Sequence, residues 1–215
     1  MNKRQKNKKI YYVSAKTRKR NKELCKRYPF LIPRNIFTDE AVWDIHKKQH
    51  KYSWTLLAFM PRGWRKAFGL QMCEDLREEL IKFNYLDDYR VEQIKEKYGG
   101  LRWYDNGCPV GSKIGDIINT YGIISENVCV SCGKLDVPMT DTGWILPMCE
   151  KCFCGRRIRY NADDYKRATE DSPCEIRTEY TTGRYIPGTD DVVIEKHDIT
   201  DVVNRIRAKK IVYRR

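Results

Sequence analysis

From Trp64 onward apolar residues recur every three or four positions, at Phe68, Met72, Leu76, Leu80 and Phe83, with Glu74, Asp75, Glu78 and Glu79 between them. That period collects the apolar set on one stripe of a long helix and leaves the acids on its wet face. A second stripe, Ile114, Ile117, Ile118, Tyr121 and Ile124, follows Ser112, whose hydroxyl is the expected N-cap. Between the two helices the period changes to two. The segment YRVEQIKEKYGGLRWY (89–104) predicts a β-hairpin with Leu101 and Trp103 on one face and Arg102 and Tyr104 on the other. Its turn is expected at Gly99 and Gly100, because paired glycines reach the positive φ values of a tight hairpin.

The flanks carry shorter signals. Thr38 is placed to cap a helix with Ala41, Val42 and Ile45 on one side, and Pro61, Arg62 and Gly63 end the apolar run 54–60. Residues 161–170 predict a short helix. The β-prone runs 176–180, 184–186 and 191–195 are separated by Thr182-Gly183 and Pro187-Gly188, which predicts a hairpin or small antiparallel sheet. Asp198 or Thr200 then caps a last helix with Val202, Val203 and Ile206 inward.

Cysteine spacing supplies the organising centre. Cys129 and Cys132 form one Cys-x-x-Cys pair, Cys149 and Cys152 another, with sixteen residues between the pairs. Two such pairs offer the four soft thiolates of a tetrahedral zinc site, and Gly133 lets the chain fold back behind the first pair. Cys154 could stand in for Cys152. Four thiolates leave a zinc ion no position for water or substrate, so the expected role is structural. The fold class is therefore α+β: several amphipathic helices and short antiparallel hairpins around a four-cysteine zinc-ribbon-like module. Four segments result: a basic arm (1–27), a helical region with the hairpin at 89–104 (28–125), the zinc-ribbon-like module (126–155), and a small α/β region ending in a basic helix (156–215).

Charge changes the picture at the ends. Of the net +13, residues 1–27 carry +11, the last eleven residues +6, and the span between them −4. In the arm, Lys3, Arg4, Lys8, Lys9, Arg18, Lys19 and Arg20 accompany Tyr11 and Tyr12, a composition that contacts phosphates and stacks on bases, or else only solvates the chain. The acidic span offers no broad phosphate-tracking surface. Nine cysteines, an odd number with metal spacing, fit a reducing cytosol better than a disulfide scaffold. Without an apolar segment of ~18 residues or a signal-peptide core, the chain is expected to be soluble and unexported.

Other constellations weigh less. His46 and His50 lie one helical turn apart, but Lys47 and Lys48 stand between them and no further ligand is near, so they read as a solvent-facing helix. The acids at 74–79 could form an acid–base pair or a cation site and read more simply as a solvated face. No Gly-Lys-Ser/Thr follows Gly99-Gly100, which excludes a P-loop.

The phrase QIKEKYGGLRWY, then a short Ile-rich helix, then Cys-x-x-Cys-Gly and Gly-Trp-Ile-x-x-x-Cys-x-x-Cys, covers residues 93–152 and resembles a group of small phage and prophage proteins of unknown role. With its lysine-rich start, the chain is similar in kind to zinc-binding anti-CRISPR proteins from prophages of Gram-positive bacteria, which block the RNA-guided nuclease of type II systems. That resemblance implies a class of partner and no site residues. The expectation is a non-enzymatic inhibitor that binds a large ribonucleoprotein stoichiometrically in a bacterial host cytosol, with no membrane partner. Its basic termini could touch DNA or RNA directly. The alternative is a zinc-ribbon DNA- or RNA-binding regulator.

Overall fold

In a computed structural model of the protein, residues 13–43, 50–156, 160–185 and 192–208 are described. The long helix forms where the apolar stripe predicts it, in three continuous stretches: α2 (Arg62–Trp64), a π-helical turn (Arg65–Gly69) and α3 (Leu70–Lys82). Trp64, Phe68, Met72, Leu76 and Leu80 are all fully buried. Steps of four residues drift by about 40° each on an α-helix of 3.6 residues per turn. The wider π turn takes up part of that drift, so Trp64 stays in line with the others. Burying each of these side chains contributes roughly 1.5–3 kcal/mol relative to exposure.

α4 (Ile114–Ser125) packs on α3 with Ile114, Tyr121 and Ile124 buried. Ser112 does not cap it. The Ser112 hydroxyl is buried without a hydrogen-bond partner, and Glu79 Oε1 instead accepts from the Lys113 amide at 2.9 Å. A carboxylate from a neighbouring helix thus does the capping work at the start of α4, where the macrodipole also favours a negative charge.

β1 (Val91–Lys97) and β2 (Gly100–Asp105) pair antiparallel and lay Ile94, Leu101 and Trp103 onto this core. The two turn residues at positive φ are Tyr98 (53°) and Gly99 (78°), so Gly100 already belongs to the strand. A Cβ on Gly99 would clash only with the flexible end of the Met139 side chain, so the positive φ is what favours glycine there.

The ends of the chain close the core. α1 (Ala15–Arg27), capped by Ser14, buries Cys25 and leads into Tyr28, Phe30 and Leu31, so residues 15–27 are a docked helix. Downstream, α6 (Ala162–Thr169) starts with a capping box between Asn161 and Asp164. β5 (Glu179–Tyr185) pairs with β6 (Val192–Asp198), with Thr182-Gly183 inside the strand. α7 (Thr200–Arg207) returns Val203 and Ile206 to the core, and Asp198 accepts from the Thr200 amide at 2.8 Å.

Two further expectations are corrected. Thr38 starts no helix: Asp39 takes a positive φ of 53°, Arg34 bridges Ala41, and the Val42 amide donates to Pro33, so the segment turns back on itself. Ile45 and His46 lie outside the described residues, and His50 sits in non-helical backbone. The acids of α3 are not simply a wet face. Glu74 accepts from Arg27 and Tyr28, Asp75 from Tyr121 and Arg205, and Glu79 from Lys113 and Lys82. Three of the four tie α3 to other parts of the chain. Among the described residues, no helix is long and apolar enough to cross a membrane.

Candidate metal centre

The first knuckle is built by backbone geometry. The Cys129 amide donates to Lys134 O and the Gly133 amide to Cys129 O, which closes a tight loop around Cys132. Gly133 sits at φ 81°, and a Cβ there would lie 2.6 Å from Gly63 O. Glycine is required both for the turn and for the close approach. The second knuckle is the start of α5 (Glu150–Cys154), where the Cys152 and Phe153 amides donate back to Cys149 O. Between them run β3 (Met139–Thr140) and β4 (Leu146–Pro147), a two-residue antiparallel ladder. The Val130 amide donates to Pro147 O, which binds one knuckle to the strand that delivers the other.

This brings Cys129, Cys132, Cys149 and Cys152 together, with their Sγ atoms all within 4.8 Å of one another. Zn–S bonds of about 2.3 Å at tetrahedral angles put sulfurs roughly 3.8 Å apart. Cys132 Sγ and Cys149 Sγ are 3.7 Å apart, the separation expected of two sulfurs on one tetrahedral zinc ion. The four cysteines could hold a metal ion. Cys154, two positions further along α5, is not one of the four, consistent with a step of about 200° around the helix.

The thiols of the cluster shift in opposite directions. Burial raises the Cys129 thiol, but the amides of Cys149, Cys132 and Ser131 more than offset it, and the net shift is downward. Cys149 and Cys152 shift upward, from burial first, and Cys152 also through its hydrogen bonds with Cys149 and Cys132. A positive ion among the sulfurs reverses that, because it stabilises the thiolate directly.

The centre is anchored to the core rather than appended to it. The Gly63 amide donates to Val130 O at 2.9 Å and Trp64 Nε1 to Val128 O at 2.7 Å. A Cβ on Gly63 would lie 2.0 Å from Cys129 O. Asn127, buried, donates from Nδ2 to Val137 O and Pro173 O and so staples both flanks of the loop. Phe153 is fully buried, stacks on Tyr160 at 4.6 Å and meets Tyr165 edge-on, behind the second knuckle. None of these supports was read from the sequence. Gly63 in particular reads there as the end of an apolar run.

Of the basic residues proposed to meet a partner, Arg18, Lys19 and Arg20 stand on α1. Lys3, Arg4, Lys8 and Lys9 lie outside the described residues. No protein-family model matches the chain, and comparisons with curated proteins and with solved structures also gave no match.

Proposed function

We propose that the protein is a zinc-binding protein whose metal is structural and which acts by binding a macromolecular partner, not by catalysis. One observation carries the reading: the cluster offers four thiolates, which complete the coordination of a tetrahedral zinc ion. The ion would be held by Cys129, Cys132, Cys149 and Cys152, and bound there it supplies a crosslink between two knuckles. The residues around it do the rest. The Val128 and Val130 carbonyls receive Trp64 and Gly63, so the crosslink fixes the first turn of the long helix. Three of the four acids that could have served as an acid–base pair, Glu74, Asp75 and Glu79, are engaged as ties between elements.

The partner follows from the sequence resemblance: a large nucleic-acid-binding ribonucleoprotein, the type II CRISPR nuclease, blocked at a fixed ratio by a prophage-encoded inhibitor. The test titrates the full chain into a guide-loaded type II nuclease and follows target binding and cleavage. Inhibition that saturates near one equivalent is the expected result. Full inhibition far below an equivalent would mean turnover, and no inhibition with specific binding to a promoter or an RNA would mean the zinc-ribbon regulator.

A further inference from the structure

The sequence assigns positive charge to an arm and an acidic character to the body, but the fold redistributes it. α1 lies beside the start of the long helix, and the two enclose a groove of about 1060 Å³. Leu24, Leu57 and Leu70 contribute its apolar wall. Arg20 and Lys26 face into it from α1, and Arg62, Arg65 and Lys66 from α2 and the π turn.

Seven cations line the groove with one acid. Glu74 pairs with two further cations of the lining, Arg27 at 2.6 Å and Arg77 at 3.3 Å. Arg20, Lys26, Arg62, Arg65 and Lys66 make no ion pair among the described residues, and Glu23 is the only acid of the lining. The Arg65 guanidinium is held below its usual range, by burial first and then by Arg20 and Arg62. Like charges gathered along one concave surface cost stability unless a counter-charge meets them, and they focus an attractive field for anions.

We propose that this groove binds the phosphate backbone of a nucleic-acid strand. Arg20 and Lys26 are six residues apart, about 9 Å along a helix, a length in which one strand of a stacked nucleic-acid helix rises by roughly two to three nucleotides. The groove lies at the upper end of the ~300–1,000 Å³ of small-ligand sites, more than a single phosphate needs. Its leucines offer a dry surface to riboses and bases. Lys16, Arg18, Lys19 and Lys22 also stand on α1, outside the lining of the groove. The inference stands on the groove alone and depends neither on the metal nor on the ribonucleoprotein target.

The test measures binding of the zinc-loaded full chain to labelled single-stranded RNA, single-stranded DNA and duplex DNA of one length across a salt series. Each lost phosphate contact flattens the log–log salt slope by about 0.7–0.9. Arg62→Glu with Lys66→Glu, both exposed, should flatten it by roughly 1.4–1.8 and weaken binding at least about tenfold at low salt. Arg20→Glu with Lys26→Glu should do the same from the other wall. Arg184→Glu with Lys196→Glu, an equal charge change on the β5–β6 hairpin, should leave the slope unchanged. The three arms show which strand type the groove takes. Unaltered slopes in both groove variants, equal losses in the hairpin variant, no binding by the parent, or equal competition by inorganic polyphosphate would each overturn the assignment.

Discussion

Gly63→Ala separates two opposing effects at one atom. Gly63 lies in the first turn of a helix, where alanine is favoured over glycine by about 1 kcal/mol. If propensity decided, the variant would be more stable than the parent. The added Cβ, however, would lie 2.0 Å from Cys129 O and 2.7 Å from both the carbonyl carbon and oxygen of Val130. Carbon–oxygen contacts settle near 3.3 Å, so the knuckle must retreat by more than about 1 Å. That stretches the 2.9 Å bond from the Gly63 amide past useful length and strains the 2.7 Å bond from the fully buried Trp64 indole. Two buried donors left unmatched cost about 1–3 kcal/mol each. The net loss, after the propensity gain of about 1 kcal/mol, should be about 1–5 kcal/mol, set against the ~5–15 kcal/mol that holds a domain together. Urea unfolding of the zinc-loaded protein reads the loss directly. The variant should also surrender its metal to a competing chelator sooner, since the displaced carbonyls belong to the loop of the first knuckle. An alanine variant as stable as the parent, or more stable, would refute the claim that the knuckle is packed against this helix.

Two further outcomes follow from the ties around the core. The Lys113 amide, and secondarily Lys82, hold the Glu79 carboxyl below its usual value against the opposing effect of burial. A depressed folded-state pKa gives stability that is present above the unfolded value of about 4.3 and is lost as pH falls through the lower folded value. Glu79→Gln should therefore cost roughly 1.5 kcal/mol at neutral pH and show a shallower acid loss than the parent in pH-dependent melts. An unchanged acid limb would remove Glu79 from this role. Thiol labelling offers an independent check on burial. Cys108 and Cys174 are exposed, whereas Cys73 is buried and Cys25 is buried with its thiol pushed up to about 12, so the first pair should react fast and the second pair only on unfolding. Rapid labelling of Cys25 in the folded protein would contradict the docked position of α1.

Much of the architecture was readable because it rests on period and spacing. The Phe68 to Leu80 stripe, the faces of the 91–105 hairpin and the α4 stripe each follow from one local rule, and the four cysteines from another. What escaped the sequence is what depends on neighbours distant along the chain. Ser112 has the chemistry of a cap, but Glu79, thirty-four residues upstream, reaches the amide first. Glu79 falls seven residues after Met72 and Asp75 seven after Phe68, which places both at the edge of the buried stripe, and that was the available signal. Tyr98 takes a left-handed turn position expected of a glycine, freeing Gly100 for the strand. A sum of charge along the chain, basic at the ends and acidic between, does not tell which charges face one another. In the fold, α1 sets its cations opposite Arg62, Arg65 and Lys66, which the sum had hidden among acids.

The central claim is that one zinc ion, held by four cysteine sulfurs, is part of the folded structure. Metal analysis combined with X-ray absorption at the zinc edge, on the full chain purified without added metal, tests it most directly. The account predicts one zinc per chain and a first shell of four sulfurs at about 2.3 Å. Cys149→Ser should then lose most of the metal and much of the stability, because binding at such a site is largely folding free energy. Well under one equivalent of zinc, or a shell containing nitrogen or oxygen ligands, would contradict the account.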